Sequence, residues 1–365
     1  MGGRPVFVFH AGDVWQGFSG LTVEHSSTHS GILMLNISYV TARKMPMLEW
    51  FLSSLARECG GDFSALKVII VDYWANPFGG TKQDHESRRA YVESCVDQAG
   101  IPHESFNWLA PKSNPWQGKA RQGPVDWFNV ANSRNTALCY CDDGWVAFVD
   151  DLSVLTPGWL SCVAQATQHG KSITLGSYRK VLELVVEDGL VKSFAPHLSP
   201  DGKDQGEDAR GRHVKDLNRV HTPCPPDWHF GYVVGPVQAY LDVNGWVETD
   251  TAGLSFEDVP TGINLSKKGY SFRYDPRMLA LESHELHGQP GGMKRADYGV
   301  SPNDKSHAVL RRARDGDGWA KNDFFNGMTL AKLRDFVYAK STNSFPVPPQ
   351  RYREWYTGKF IGELE

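Results

Sequence analysis

The sequence predicts an α/β fold built on a mostly parallel sheet, and two observations carry that prediction. Short apolar runs ending at polar turns recur at 31–40, 66–71 and 145–149, each the length of a buried strand. Between the first two, Leu48, Phe51, Leu52, Leu55 and Ala56 recur at three-to-four spacing, an amphipathic helix closed by Gly60-Gly61. Strand, helix and strand in quick succession is the unit of a parallel sheet, because each crossover needs a helix.

Taken in order, residues 1–30 form a lead segment rich in Gly, Ser and His. Gly31 to Val40 is the first strand, and Pro46 is expected in the first turn of the helix that follows. Leu66 to Val71 is the second strand, with Asp72 just beyond it. Helices are expected around Ser87–Ala99 and from Asn129 to Cys139, and the strand Trp145–Val149 runs into Asp150-Asp151. Alternating apolar positions over 171–195 predict antiparallel strands, forming a smaller sheet. The charged, Gly-rich stretch 197–222 is expected to be a mobile loop. A second structured block spans 228–287, and Gly288 to Gly292 marks a boundary. The division is a lead segment 1–30, a main domain 31–290, and a C-terminal extension 291–365 with one helix from Leu330 to Tyr338.

Composition sets the outer limits. A net charge of −4 over 365 residues argues against a surface that traps polyanions wholesale. Hydrophobic residues at 41% and charged residues at 22% exclude wholesale disorder. No apolar run approaches the roughly 20 residues that cross a bilayer, and the opening lacks the pattern of a secretory signal. Six scattered cysteines without a zinc-type CxxC pair make no disulfide framework, so a reducing, cytoplasmic location is expected.

Carboxylates at the carboxyl ends of strands are the most informative chemical feature, since open α/β sheets bind ligands at that edge. Asp72, the pair Asp150-Asp151 and the pair Glu257-Asp258 are the candidates. Adjacent acids repel unless a cation or hydrogen-bond donor compensates them, and a divalent ion bridging a phosphate does so.

The order of these residues resembles a known family. Arg134-Asn135, then Phe148-Val-Asp-Asp151, then Pro157-Gly-Trp-Leu160 is similar to the core of the GT-A nucleotide-sugar glycosyltransferases. The second half matches too: Asn244-Gly-Trp-Val-Glu248, Phe256-Glu-Asp258, Leu265, Gly269-Tyr270 and Tyr274. The likeness covers about residues 31–290. It implies a glycosyltransferase moving a sugar from a nucleotide sugar, with a UDP-sugar the expected donor, to a hydroxyl of a glycan, a glycoconjugate or a hydroxylated DNA base. Thr41, Arg43 and Asp72 would hold the nucleoside, Arg134 would approach the diphosphate or the sugar, and Asp150 would join Asp151 in holding a divalent ion against the phosphates. Asp151 would ligate manganese or magnesium, Glu257 would bind sugar hydroxyls, and Asp258 would be the general base of an inverting transfer.

One position departs from the family pattern: Leu152 stands where many members carry a third acid. His287, and with it His284, resembles the late histidine that completes the metal site in several branches. Trp228-His-Phe-Gly231 and Trp246 are candidates for an acceptor platform, and Lys112 to Arg121 and Arg311 to Arg314 are basic stretches. Two other classes stay open. A nucleotidyltransferase needs a Gly-rich phosphate loop after the first strand, which Thr41-Ala-Arg-Lys44 is not, and a sugar-binding module without catalysis is suggested by Leu152.

Overall fold

The computed structural model describes residues 34–75, 82–112, 129–248, 257–288 and 329–340. The lead segment, Lys112's neighbours from 113 onward, Phe256, the 289–292 boundary and Arg311–Arg314 lie outside the described residues, as does the side chain of His287.

The three expected apolar runs form the centre of the sheet: β1 (Leu35–Thr41), β2 (Leu66–Asp72) and β4 (Trp145–Asp150). With β3 (Phe106–Leu109) they pair in parallel in the order β3-β2-β1-β4. Their apolar runs are continuous because both faces are covered. Ile37, Tyr39, Val68, Ile70, Ala147 and Val149 face one core, with Leu48, Phe51 and Leu55 of α1 (Leu48–Glu58) and Val92 and Val96 of α2 (Lys82–Ala99). Val40, Ile69, Val71, Val146 and Phe148 face the other, with Leu138 of α3 (Val130–Tyr140). Pro46 falls ahead of α1 instead of in its first turn, because Met47 takes a left-handed conformation (φ 51°) and the helix begins at Leu48.

After β5 (Ser153–Leu155) and α4 (Trp159–Thr167), the chain enters the 16-residue β6 (Ser172–Glu187) and returns along β7 (Leu190–Pro196). Next come β8 (Val233–Pro236), α5 (Val237–Asp242), α6 (Asp258–Lys267) and β9 (Ser271–Ser283). The expected antiparallel strands are continuous with the parallel set in one nine-stranded sheet, extended as β4-β8-β6-β9-β5 with β7 on β6. Strand β8 joins the two parts by pairing antiparallel with both β4 and β6.

The stretch 197–222 is pinned where a mobile loop was expected. It carries a short 3-10 turn at Ala209–His213. Arg210, buried at 8% exposure, grips the Asp208 carboxylate and donates to the carbonyls of Gly176 and Trp228. That guanidinium ties the loop to β6, a link between distant segments that local composition does not carry.

The C-terminal helix α7 (Leu330–Lys340) lays Leu330, Leu333 and Val337 into the same core as α3. Its first N–H is received by the Asn244 side chain at 2.6 Å. Among the described residues no helix is long and apolar enough to cross a membrane.

Candidate active site

Four elements meet at one guanidinium. Arg134, on the first half of α3, donates through Nη2 to Asp150 Oδ1 at 2.7 Å, and Asp150 ends β4. Its Nη1 donates to Asp258 Oδ1 at 2.8 Å and reaches Glu257 Oε1 at 3.4 Å, at the start of α6. The fourth element is the turn entering β8. Its Gly231 lies so close that a Cβ there would stand 2.1 Å from Asp150 Oδ2 and 2.6 Å from Arg134 Nη2. Only glycine fits. Beneath the guanidinium lies the Trp246 ring, 4.2 Å from Arg134 Cζ to the centroid.

Three carboxylates share one positive charge here, and all but Asp150 are buried. Burial pushes the Glu257 carboxyl well above the ordinary carboxylate range, and the neighbouring Asp258 pushes it further, against the pull of Arg134. Asp258 is raised for the same first reason, with Arg134 opposing and Asp150 adding to the rise. Among the described residues Glu257 Oε2 has no hydrogen-bond partner. The site therefore holds more carboxyl groups than its one cation can neutralise, and burial raises the basicity of Glu257 and Asp258.

Beside it, Asp151 Oδ2 accepts from Thr41 Oγ1 at 3.0 Å and from Arg43 Nε at 3.2 Å. The parallel register of β1 on β4, with Val40 opposite Asp150, sets this meeting. Leu152 follows in a left-handed conformation (φ 60°), fully buried, its N–H donating to Tyr39 Oη at 3.0 Å. A non-glycine residue there costs about 1 kcal/mol, and its effect is to turn the chain so that Asp151 faces the end of β1.

Other expected residues are placed differently. Asp72 is almost fully buried and its carboxylate accepts from Arg88 Nε (2.7 Å) and Nη2 (3.1 Å), from Trp74 N and from Trp108 Nε1. Arg88 also donates to the carbonyls of Arg43 and Lys44. Asp72 is thus committed to a buried ion pair that fixes the loop after β1. Trp246 belongs to the core, not to an open platform, whereas Trp228 is half-buried. Lys112 is no surface cation: it is buried and pairs with Glu248 at 2.7 Å.

The metal set is incomplete among the described residues, where no three His, Cys, Asp or Glu side chains stand together to hold an ion. Ser283 N donates to Leu152 O, so Asp151 and His284 flank a shared backbone bond, and the His284 ring stacks on His197 at 3.9 Å.

No family model matches the chain, and no curated protein does. Solved structures do. The chain is similar over 90% of its length to GalNAc-T7, solved with UDP, GalNAc and Mn2+, at 11% identity and a TM-score of 0.51. It spans 57% of that chain. It is equally similar, with a TM-score of 0.51 and 13% identity, to residues 1-349 of S. aureus TarS in complex with UDP-GlcNAc, covering 90% of this chain and 81% of that one. The chain has the GT-A fold. In this GT-A sheet the Arg134 cluster sits where β4 ends, the edge at which open α/β sheets take ligands.

Sequence reasoning missed two residues of the cluster's support. Gly231 was visible only as part of an aromatic motif, and nothing in its neighbours signals that Asp150 and Arg134 crowd it. His229, two residues earlier, is buried, and its Nδ1 lies 3.0 Å from the Asp258 carbonyl. A His flanked by aromatic residues was the only available signal.

Proposed function

We propose that the protein is a glycosyltransferase that moves a sugar from a nucleotide sugar, with a UDP-sugar the expected donor, to an acceptor hydroxyl with inversion. The observation that carries this reading is the Arg134 cluster, which joins Asp150 at the end of β4 to Asp258 at the start of α6 within a GT-A fold.

A sugar hydroxyl is a poor nucleophile, and Asp258 would take its proton as the new bond to the anomeric carbon forms. The group suits that task, since burial raises its basicity while Arg134 holds its carboxylate in place. Departure of the nucleoside diphosphate adds negative charge, which Arg134 and Arg43 would offset. Glu257, with its second oxygen unshared among the described residues, would hold a sugar hydroxyl. Thr41 and Arg43 would meet the nucleoside and phosphates. Asp72 would act only by shaping that loop through Arg88. Asp151 with His284 and His287 is the set that would hold a divalent ion. The described residues do not complete it, so no step here is routed through a metal. The acceptor would be a glycan, a glycoconjugate or a hydroxylated DNA base, approaching past Trp228.

Measuring nucleotide release from a panel of UDP- and GDP-sugars tests the proposal. Turnover with one donor, increased by an acceptor hydroxyl, is expected. Tight binding of a nucleotide sugar without any release would instead make the protein a sugar-nucleotide binding module.

A further inference from the structure

The His229 imidazole lies beneath the start of α6. Its Nδ1 stands 3.0 Å from the Asp258 carbonyl oxygen, and its Nε2 stands 3.3 Å from Tyr240 Oη. A carbonyl only accepts, so the ring proton resides on Nδ1, and Nε2 is left to accept from the tyrosine hydroxyl. Burial first, then the Arg134 charge, pushes the imidazole pKa down to about 3, so the ring stays neutral.

Helix α6 is seated on this turn at a second point. A Cβ on Gly262 would stand 2.1 Å from the Pro226 carbonyl oxygen and 2.5 Å from His229 Cβ, so the helix and the turn touch backbone to backbone. The turn is itself held from behind, since Arg210 donates to the Trp228 carbonyl at 2.9 Å and to that of Gly176 in β6 at 2.7 Å. His229 also packs on Trp246, with centroids 4.6 Å apart, and Trp246 carries the Arg134 guanidinium on its face.

We propose that His229 is a positioning residue for Asp258: its Nδ1–H, donated to the Asp258 carbonyl, fixes the first turn of α6 against the layer that supports Arg134. One imidazole thereby sets the separation of the base and its guanidinium without touching substrate. The inference rests on Asp258 acting as the base, and misplacement of a catalytic group by about 1 Å costs about 100-fold in rate.

Three variants of the full chain test it by where they put a donor. In His229→Asn the amide Nδ2 falls near the place of the imidazole Nδ1, in His229→Gln the amide lies near Nε2, and His229→Leu has neither. Expected is a fall in kcat of about 10- to 100-fold for the Leu and Gln variants. The donor KM should stay unchanged, and Asn should recover most of the rate. Equal kcat in Asn and Leu variants that both stay folded would overturn the inference, as would a wild-type rate in the Leu variant. A second measurement needs no turnover. Long-range 1H–15N spectra of the wild type, with the His229 signal assigned by its loss in His229→Asn, should show a neutral Nδ1–H tautomer throughout pH 5–8. An Nε2–H tautomer, or protonation within that range, would overturn the anchor. Wild-type inactivity with every donor would overturn the glycosyltransferase reading and with it the positioning of a base by His229, while the spectra still decide whether the anchor exists.

Discussion

Arg134 and Asp258 are joined by a 2.8 Å hydrogen bond across 124 positions of sequence. The same guanidinium reaches Asp150 at 2.7 Å, so one side chain on α3 ties the end of β4 to the start of α6. Its removal would leave three carboxylates facing one another. Arg134→Ala is therefore expected to destabilise the fold by about 3–5 kcal/mol, the range for breaking a buried pair. Arg134→Lys, which keeps the charge but not the fork, should recover only part of that. Chemical denaturation of both variants measures it.

The opposite sign is expected at Glu257. Burial and the neighbouring Asp258 push the Glu257 carboxyl up to about 8, so near pH 7 it is held largely protonated, and it is the most deeply buried of the three acids. Glu257→Gln keeps nearly the same shape and is neutral in the folded and unfolded chain alike, so at pH 7 it removes the cost of protonating a buried carboxyl on folding. It should raise the melting temperature by a few degrees, corresponding to about 1 kcal/mol. Catalytic rate should fall as the melting point rises, and a thermal scan beside an activity assay detects the trade.

At Gly231 the smallest possible addition is decisive. A methyl group 2.1 Å from Asp150 Oδ2 has to push that carboxylate or the turn aside. Gly231→Ala should cost about 1–3 kcal/mol and abolish transfer, because the displaced group is one of the cluster's three acids. A variant that melts like the wild type and retains its rate would show that the turn relaxes freely.

The pH profile follows from the raised carboxyl of Asp258. A base acts only when ionised, so kcat/KM should fall as pH drops through its pKa. Burial places that pKa above the ordinary value of about 3.9, with Arg134 limiting the rise. The acid limb should therefore lie above the usual Asp range and disappear in Asp258→Asn. Initial rates from pH 4 to 9 at constant ionic strength test the sign.

Much of this was legible because chemistry and periodicity coincided. Apolar runs at 31–40, 66–71 and 145–149 have the continuity of strands covered on both faces. Asp150 ends β4, where such sheets present ligand-binding groups, whereas Asp258, also expected at a strand end, opens helix α6. Asp72 occupies an equivalent strand end, yet Arg88 on α2 captures it, and nothing local to Asp72 announces an arginine 16 residues later. Trp246 could have been a platform or core, and its complete burial, with Arg134 over its face, decides that it is core. The stretch 197–222 has the composition of a loose loop, but the Asp208–Arg210 pair binds it to β6 and to the Trp228 turn. The resemblance itself rested on the order of the acidic pairs, and Arg134 is what joins Asp150 at the end of β4 to Asp258 at the start of α6.

The central claim is that Asp258 is the base of a sugar transfer, and the direct measurement compares Asp258→Asn with the wild type on the donor that supports turnover. Dissociation constants for that nucleotide sugar are taken in parallel by calorimetry. Donor affinity within about threefold of the wild type, with kcat lowered by the 10²–10⁴ typical of a lost general base, is the predicted result. Undiminished kcat in a variant that still binds the donor would contradict it.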